Sequence, residues 1–280
     1  MRRTAWTIAL AALVCGFSTA GNAAVTCTLG ALTGFATAYV PSTAATNVTQ
    51  GTIAVTCVRA RTGDATTATF TLSADNGLHA TAQQNRAQLG ANLINYDLFQ
   101  DSTCATVWRA NAANRISGTI AGLTGFIPSS TNIPFWGCVA GSQTGLPAGT
   151  YMDTVTVTLR GQGTDTATFP VAIFTPASCS MTTAPGTVSF TYTAFGGVQN
   201  ASTPYSVTCT SLLPYTMALD ATVGVVGGLQ YTLALSSPGS TGTGLAQSFS
   251  VNGTMPANQA GTCGVASCIT SQTRTLTISY

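Results

Sequence analysis

The sequence of 280 residues contains no lysine, no glutamate and only one histidine, His79. Charged side chains make up 6% of the chain, whereas about a quarter is usual for a soluble globular protein. A basic surface for nucleic acid and a polybasic membrane-binding surface are therefore excluded. The low charge has two interpretations: a β-rich secreted protein with codon bias towards alanine, glycine and arginine, or a subunit whose surfaces are covered by partners.

A single histidine also limits the chemistry that the chain can perform. His79 cannot supply the several ligands of a zinc site, and no Ser-His-Asp pattern surrounds it. No glycine-rich phosphate-binding loop precedes a helical pattern. The sequence therefore predicts no catalytic site, no cofactor and no metal site, and the protein is not expected to be an enzyme.

Residues 1–23 have the features of a signal peptide. Arg2 and Arg3 precede an apolar run that ends near Phe17, and small residues follow at the cleavage positions. The run is shorter than the roughly 20 residues that span a bilayer, which disfavours a membrane anchor. We expect export and a mature chain that begins near Ala24, in which seven arginines balance seven aspartates.

A repeat with an offset of 152 residues divides the chain into two modules. Cys27 and Cys57 are 30 residues apart, and so are Cys179 and Cys209. The dipeptide Val-Thr precedes the second cysteine of each pair. Two copies of one module of roughly 110 to 140 residues fit the usual domain size.

The chain between the cysteines predicts short β-strands. Residues 154–159 and 274–280 alternate between apolar and polar side chains, which is the period of a half-buried strand. Similar runs, among them Thr187 to Thr193, recur between turn sequences, and no convincing helical period appears. We therefore predict an all-β fold in which both modules are antiparallel β-sandwiches.

Several motifs together resemble the spore coat protein U domain family. The pattern is a cysteine near the start, a Val-x-Cys strand about thirty residues later, a strand similar to Leu-x-Tyr-x-Leu, a tryptophan or tyrosine next to glycine, and a closing Gln…Pro-Ala-Gly-x-Tyr-x-Asp-Thr-Val-x-Val sequence. In the first module these pieces are Cys27, 55–57, 95–99, 136–137, Gln143 and 147–157; in the second they are Cys179, 207–209, 230–233, 257–261 and the terminal strand. The second copy departs from the pattern where Cys263 replaces the tyrosine and Cys268 follows it.

The resemblance implies two immunoglobulin-like β-sandwich domains, the second an incomplete pilin-type domain that lacks its last strand. On this reading, residues 24–163 form an N-terminal adhesin domain, residues 164–178 a linker or donor strand, and residues 179–280 a C-terminal pilin domain. The family is exported with a periplasmic chaperone and an outer-membrane usher, which are therefore expected partners.

The position of Cys27 favours a tip subunit. A pilus subunit of this kind lends an N-terminal extension to complete its neighbour, and cleavage near Ala24 leaves no such extension ahead of Cys27. We therefore expect the tip adhesin of a Csu-type pilus, at the cell surface, where it mediates attachment and biofilm formation. Its further partners are the next pilus subunit, which supplies a donor strand, and an unknown surface or receptor. The alternative is a structural spore-coat or non-tip pilus subunit without a dedicated binding site.

The segment before the second module has two interpretations. Residues 166–174 alternate, with Phe169, Val171 and Ile173 on one face, and end just before Cys179. A shaft subunit would carry its donor strand at this position. The segment therefore either completes the first module in cis or forms the first strand of the second.

Binding is predicted in loops of the first module, at the end far from the join. The leading candidate is the charge-free loop that contains Leu123, Phe126 and Ile127; two others contain Leu32 and Trp108. Neutral apolar loops gain affinity by shedding water, so we expect hydrophobic surfaces as targets. Carbohydrate, with Trp108 as a stacking platform, is the rival ligand. The edge that receives the chaperone and the donor strand is predicted at Leu276, Ile278 and Tyr280.

The repeat also predicts the disulfides of the exported chain. Cys15 leaves with the signal peptide, and eight cysteines allow 105 pairings, of which the repeat excludes most. Peptide mapping of the non-reduced protein by mass spectrometry should find four bonds within the modules, and a bond from Cys27 to any cysteine beyond residue 150 would contradict the repeat. The expected pairs are Cys27–Cys57, Cys104–Cys138, Cys179–Cys209 and Cys263–Cys268.

Overall fold

The computed structural model describes residues 25–41 and 43–280, and its long elements are all β-strands. The predicted signal peptide lies outside the described residues. No helix in the described part of the chain has the length and apolar character to cross a membrane. The first module contains β1 (Val25–Leu32), β2 (Phe35–Ala38), β3 (Asn47–Arg59), β4 (Ala68–Ala74), β5 (Asn85–Leu89), β6 (Asn92–Phe99), a single 3₁₀ turn (Ala112–Asn114), β7 (Ile116–Ile120), β8 (Ser129–Val139), β9 (Gly149–Gly161) and β10 (Gly163–Thr175).

The first module is a sandwich of two sheets. One sheet has the order β1-β3-β8-β6 and the other the order β7-β4-β9-β10-β2, while β5 pairs with both β6 and β9 and so connects them. All pairs are antiparallel except that of β2 with β10. Alternate side chains face inward, and Trp108, Phe135 and Phe169 form an aromatic row across the core, with ring centroids 5.2 and 5.1 Å apart. The result is an immunoglobulin-like β-sandwich.

Strand β10 is an integral part of this first sandwich. It runs antiparallel to β9 from Gly163 to Thr175 and parallel to β2 along Val171 to Phe174. The inward-facing Phe169, Val171 and Ile173 are at most 1% exposed. Of the two interpretations of residues 166–174, the structure therefore shows the one in cis.

A tight hairpin places β10 beside β9. Gly161 and Gly163 have φ angles of 137° and 110°, which side chains on L-residues rarely allow, and only Gln162 separates them. The carbonyl of Gln162 accepts a hydrogen bond of 2.7 Å from the backbone N–H of Cys27. The carboxylate of Asp165 accepts another, of 2.8 Å, from the N–H of Leu29. The hairpin is thereby fixed to β1 at the start of the module.

The second module repeats the first with a smaller second sheet. One sheet has the order β11-β12-β17-β15-β14 and faces a sheet of three strands in the order β16-β13-β18. A separate hydrophobic cluster, which includes Tyr205, Val207 and Tyr215, lies between them. The strands are β11 (Cys179–Thr183), β12 (Gln199–Cys209), β13 (Pro214–Leu219), β14 (Val223–Val226), β15 (Leu229–Leu235), β16 (Gly239–Thr241), β17 (Ala246–Met255) and β18 (Leu276–Ser279).

One predicted strand is absent. Residues 187–193 alternate as a strand should, but the structure assigns them no strand. A strand exists only when its backbone N–H and C=O groups pair with a neighbour, and this segment has no such partner among the described residues. The prediction of a strand at Thr187 to Thr193 was therefore wrong.

The eight cysteines of the described chain form four disulfides, and the partners are those expected from the repeat. Cys27–Cys57 joins directly opposite positions of β1 and β3, and Cys179–Cys209 does the same for β11 and β12. The Cα atoms of both pairs are 4.1 Å apart. The remaining bonds are Cys104–Cys138 and Cys263–Cys268.

The only histidine lies beside a buried carboxylate. Asp153 accepts hydrogen bonds from the hydroxyl of Tyr96 at 2.7 Å and the backbone N–H of Leu78 at 2.8 Å, and its Oδ1 is 3.2 Å from Nδ1 of His79. Burial and the neighbouring Asp153 raise the pKa of Tyr96 well above its ordinary value, so its proton stays on the hydroxyl. His79 thus helps to satisfy Asp153 within the fold.

Because one face of β10 is buried, its two phenylalanines should contribute unequally to the free energy of unfolding. Phe169→Ala should lower the free energy of unfolding of the full chain by about 3 to 5 kcal/mol, because it leaves a cavity in the first core. Phe174→Ala, on the outer face of the same strand and 48% exposed, is the matched control and should cost far less. Chemical denaturation measures both values; equal losses would contradict the assignment of β10 to the first core.

Candidate functional site

The connection between β7 and β8 lies at the end of the first module far from the join. We call residues 121–128 the distal loop. Ser129, which follows it, is opposite Cys57 at the end of β3, near the hairpin where β10 begins. Since β10 then runs the length of the module to Thr175, the distal loop and the join are at opposite ends.

Leu123 anchors the distal loop, and two other residues project from it. The backbone N–H of Leu123 donates to the carbonyl of Thr66 at 2.9 Å, and the Leu123 side chain is 1% exposed. Gly122 and Gly125 have φ angles of 72° and 54°, so the chain can reverse on either side of the anchor. Phe126 and Ile127 are left 66% and 69% exposed at the tip, an apolar pair in water.

A buried arginine supports the loop from below. Arg59 is 7% exposed, and its guanidinium donates to the carbonyl of Leu123 at 3.0 Å. It also donates to the carbonyls of Thr62 and Asp64 in the loop after β3. One side chain thus fixes two loops at the distal end. Arg59 was not among the predicted site residues, although it continues the inward-facing alternation of Val55 and Cys57 and a charge there needs buried partners.

Two of the predicted adhesive residues are core residues, and that part of the prediction was wrong. Leu123 faces inward for the reason just given. Trp108 is 1% exposed and its indole Nε1 donates to the carbonyl of Leu72 at 2.9 Å, so it offers no face to a sugar. Leu32 is only partly buried but packs against the core. Of the five residues, Phe126 and Ile127 are the ones exposed at the distal end.

In the part of the chain that the structure describes, the second module has an unpaired strand edge, on β18, where the first module has a paired one. Strand β18 is the counterpart of β9. Ile278 of β18 is opposite Met217 of β13, just as Leu159 of β9 is opposite Leu72 of β4. In the first module β10 pairs with the other edge of β9. No strand of the described residues pairs with the other edge of β18.

Residues 187–193 occupy the place that β2 has in the first module. The ring of Phe35, on β2, covers Gly137 of β8. Val188 and Phe190 cover Gly253 of β17 in the same way. Both side chains lie so close to Gly253 that a Cβ atom at this position would collide with them. In the first module β10 pairs with both β9 and β2, whereas in the second no described strand pairs with the other edge of β18 or with residues 187–193. We call the position that corresponds to β10 the open lane.

The open lane leaves apolar side chains incompletely covered. Val157 and Leu159 on β9 are 0% exposed, whereas their counterparts Leu276 and Ile278 are only partly buried. Tyr280, the third residue predicted for this edge, is 62% exposed. These residues lie along the edge that the sequence analysis predicted for a donor strand.

The distal loop and the open lane are therefore the two candidate sites, and neither has the composition of a metal centre. Among residues 25–41 and 43–280, no group of three or more His, Cys, Asp or Glu side chains could hold a metal ion. The distal loop can bury apolar surface against a partner, and the open lane can pair backbone groups with an extended segment.

Comparison with known proteins gives a family match and several structural likenesses. The Spore Coat Protein U domain matches residues 15–158, about half of the chain, and the second module lies beyond the match. No curated protein sequence matches. A chain of the CsuC-CsuE chaperone-tip adhesion subunit pre-assembly complex from archaic chaperone-usher Csu pili of Acinetobacter baumannii is 13% identical, with a TM-score of 0.48 over 91% of this chain and 100% of that one. The CupB6 tip adhesin from Pseudomonas aeruginosa is 12% identical, with a TM-score of 0.40 over 91% and 94%.

Proposed function

Because the chain belongs to the Spore Coat Protein U domain family, we propose that it is the tip adhesin of a Csu-type chaperone-usher pilus. The observation that carries the proposal is the contrast between its two modules: β10 fills the lane of the first, and the lane of the second is open. Such a subunit can accept a strand from another chain in its second module, but it has no strand to donate among those that the structure describes, because β10 completes its own first module. That is the arrangement required at the end of a fibre.

The strand that a shaft subunit would donate is unavailable here. It would precede the first cysteine of the second module, Cys179, and that position is held by β10. Both edges of β10 are hydrogen-bonded and its three inward side chains are buried. To donate β10 elsewhere, the chain would have to open the core of its first module, at a cost comparable to the stability of a domain.

The open lane accounts for the expected partners. An exposed strand edge beside apolar side chains is a template for pairing with any other chain, and proteins normally cover it. A periplasmic chaperone would cover the lane during export, and the next pilus subunit would replace it with a donor strand at the outer-membrane usher. Leu276 and Ile278, along the lane, would be buried by either occupant.

Attachment is assigned to the distal loop. Phe126 and Ile127 are exposed at the end of the first module that is farthest from the open lane's module. In a fibre held through the second module, they would face outward. Burial of two such side chains against a hydrophobic surface would favour binding without a complementary charge. The protein would thereby mediate surface attachment and biofilm formation.

The distal loop gives the first test of this function. The double variant Phe126→Ser/Ile127→Ser should greatly reduce attachment of piliated cells to a hydrophobic surface such as polystyrene, since it removes the exposed apolar pair. Attachment by the unaltered protein should change little between low and high salt, because no charge pairing is involved. Attached cells are counted after washing, at matched pilus density.

Leu78→Ser is the control, because Leu78 is 73% exposed on the same module but outside the distal loop. It should leave attachment unchanged. If the double variant attaches as well as the control, the distal loop is not the binding site, and a structural subunit without a dedicated site becomes the better interpretation.

The open lane gives the second test. A copy of residues 161–175 in place of Tyr280, which stands at the position of Gly161, reproduces the hairpin and strand that complete the first module, and should raise the melting temperature of the second module. Differential scanning calorimetry measures the transition. A copy with its equivalents of Phe169, Val171 and Ile173 changed to serine should give no such rise, and equal behaviour of both copies would show that the lane does not accept a strand.

A further inference from the structure

We propose that Tyr192 and Gln259 are positioning residues that hold residues 187–193 in place as the second side of the open lane before any strand arrives. The proposal rests on the proposed function, because it concerns how the second module receives its donor strand. It is carried by a set of hydrogen bonds that occurs once in each module.

In the first module the set joins the end of β2 to the loop before β9. The hydroxyl of Tyr39 accepts a hydrogen bond of 2.9 Å from the backbone N–H of Gln143 and donates one of 3.0 Å to the carbonyl of Ala140. The side-chain amide of Gln143 then pairs with the backbone of Asn95 on β6, accepting from its N–H at 2.8 Å and donating to its carbonyl at 2.9 Å.

The second module reproduces three of these four contacts and differs in the carbonyl to which the tyrosine hydroxyl donates. The hydroxyl of Tyr192 accepts a hydrogen bond of 2.9 Å from the backbone N–H of Gln259 and donates to the carbonyl of Gly196 at 3.3 Å. The side-chain amide of Gln259 accepts from the N–H of Gln230 on β15 at 2.6 Å and donates to its carbonyl at 3.1 Å. We call this set the tyrosine–glutamine clamp.

The backbone next to each glutamine has the same unusual shape. Ser142 and Asn258, which immediately precede the two glutamines, both have a φ angle of 61°. A positive φ is uncommon for residues other than glycine and is maintained only where the surroundings fix it. Its presence in both modules means that the backbone has the same conformation immediately before each glutamine.

The clamp has a different task in each module. In the first, β10 also holds β2, through four paired positions and a hydrogen bond of 2.8 Å from the N–H of Tyr39 to the carbonyl of Phe174. Residues 187–193 have no strand partner among the described residues. Their position is set by the clamp, by the contact of Val188 and Phe190 with Gly253, and by hydrogen bonds of the flanking residues, from the N–H of Gly186 to Thr203 Oγ1 and from the N–H of Phe195 to the carbonyl of Gln259.

A segment held in this way lowers the cost of strand insertion. Unpaired backbone with few buried contacts normally opens easily, and ordering it during binding would subtract from the affinity. With the clamp closed, an incoming strand meets hydrogen-bonding groups on both sides, β18 on one and residues 187–193 on the other. The first module shows the finished arrangement, with β10 between β9 and β2.

The test uses the full chain and a fluorescent synthetic peptide with the sequence of residues 163–175 as the surrogate donor. Tyr192→Phe removes only the hydroxyl, so the Gln259 N–H loses its acceptor, and peptide uptake measured by anisotropy should weaken about tenfold. Tyr39→Phe is the matched control: it makes the same change in the module whose lane is full, and uptake should stay the same.

Hydrogen exchange provides a second readout before any peptide is added. The amides of Gln259, Gln230 and Phe195 donate hydrogen bonds at the clamp and should exchange faster in Tyr192→Phe than in the native chain, whereas those of β13 and β12 should be unaffected. Unchanged exchange at these three amides would overturn the positioning role, and so would faster exchange with native uptake. If the native chain takes up no peptide, the acceptor role of the lane fails and the inference fails with it. If the native chain takes up the peptide and Tyr192→Phe takes it up equally well, the acceptor role of the lane stands and only the role of the clamp is lost.

Discussion

The structure depends on how the free edge of β9 is paired. A β-strand at the edge of a sheet carries a row of N–H and C=O groups that must find partners. In the first module β10 supplies them along thirteen residues, and Val157 and Leu159 behind it are completely buried. The second module shows the consequence of leaving this edge unpaired: β18 has four residues where β9 has thirteen, and its apolar side chains are half covered.

Strand β10 also connects the distal end of the first module to the second module. β10 begins at the hairpin of Gly161 and Gly163, beside the loops at the distal end, and ends at Thr175, next to the second module. It therefore completes one sandwich and leads directly to the other. The exposed apolar pair, Phe126 and Ile127, and the open lane consequently lie on different modules, so that surface attachment and fibre assembly need not compete for the same residues.

Local sequence patterns predicted what depends on local chemistry. Alternation gave the all-β class, and the 30-residue cysteine spacing gave the disulfides. The errors arose where distant partners decide the outcome. Residues 187–193 have a strand pattern but no strand to pair with, and Leu123 and Trp108 lie in loop sequences but are drawn inward by hydrogen bonds to Thr66 and Leu72. Nothing in the neighbouring sequence shows those partners.

The sequence of the second module also differs from that of the first at a position beside the open lane. Counting back from Ile278, the counterpart of Leu159, places Gln272 at the position of Asp153 and Arg274 at that of the fully buried Val155. The hydroxyl of Tyr231 donates to Gln272 as that of Tyr96 donates to Asp153. Arg274 contacts Tyr231 and the carbonyl of Val223, both neutral. Arg274 is only partly buried at a position that is fully buried in the first module, so its guanidinium keeps access to water beside the open lane. The substitution of arginine for valine is thus consistent with a module that stays open until a partner arrives.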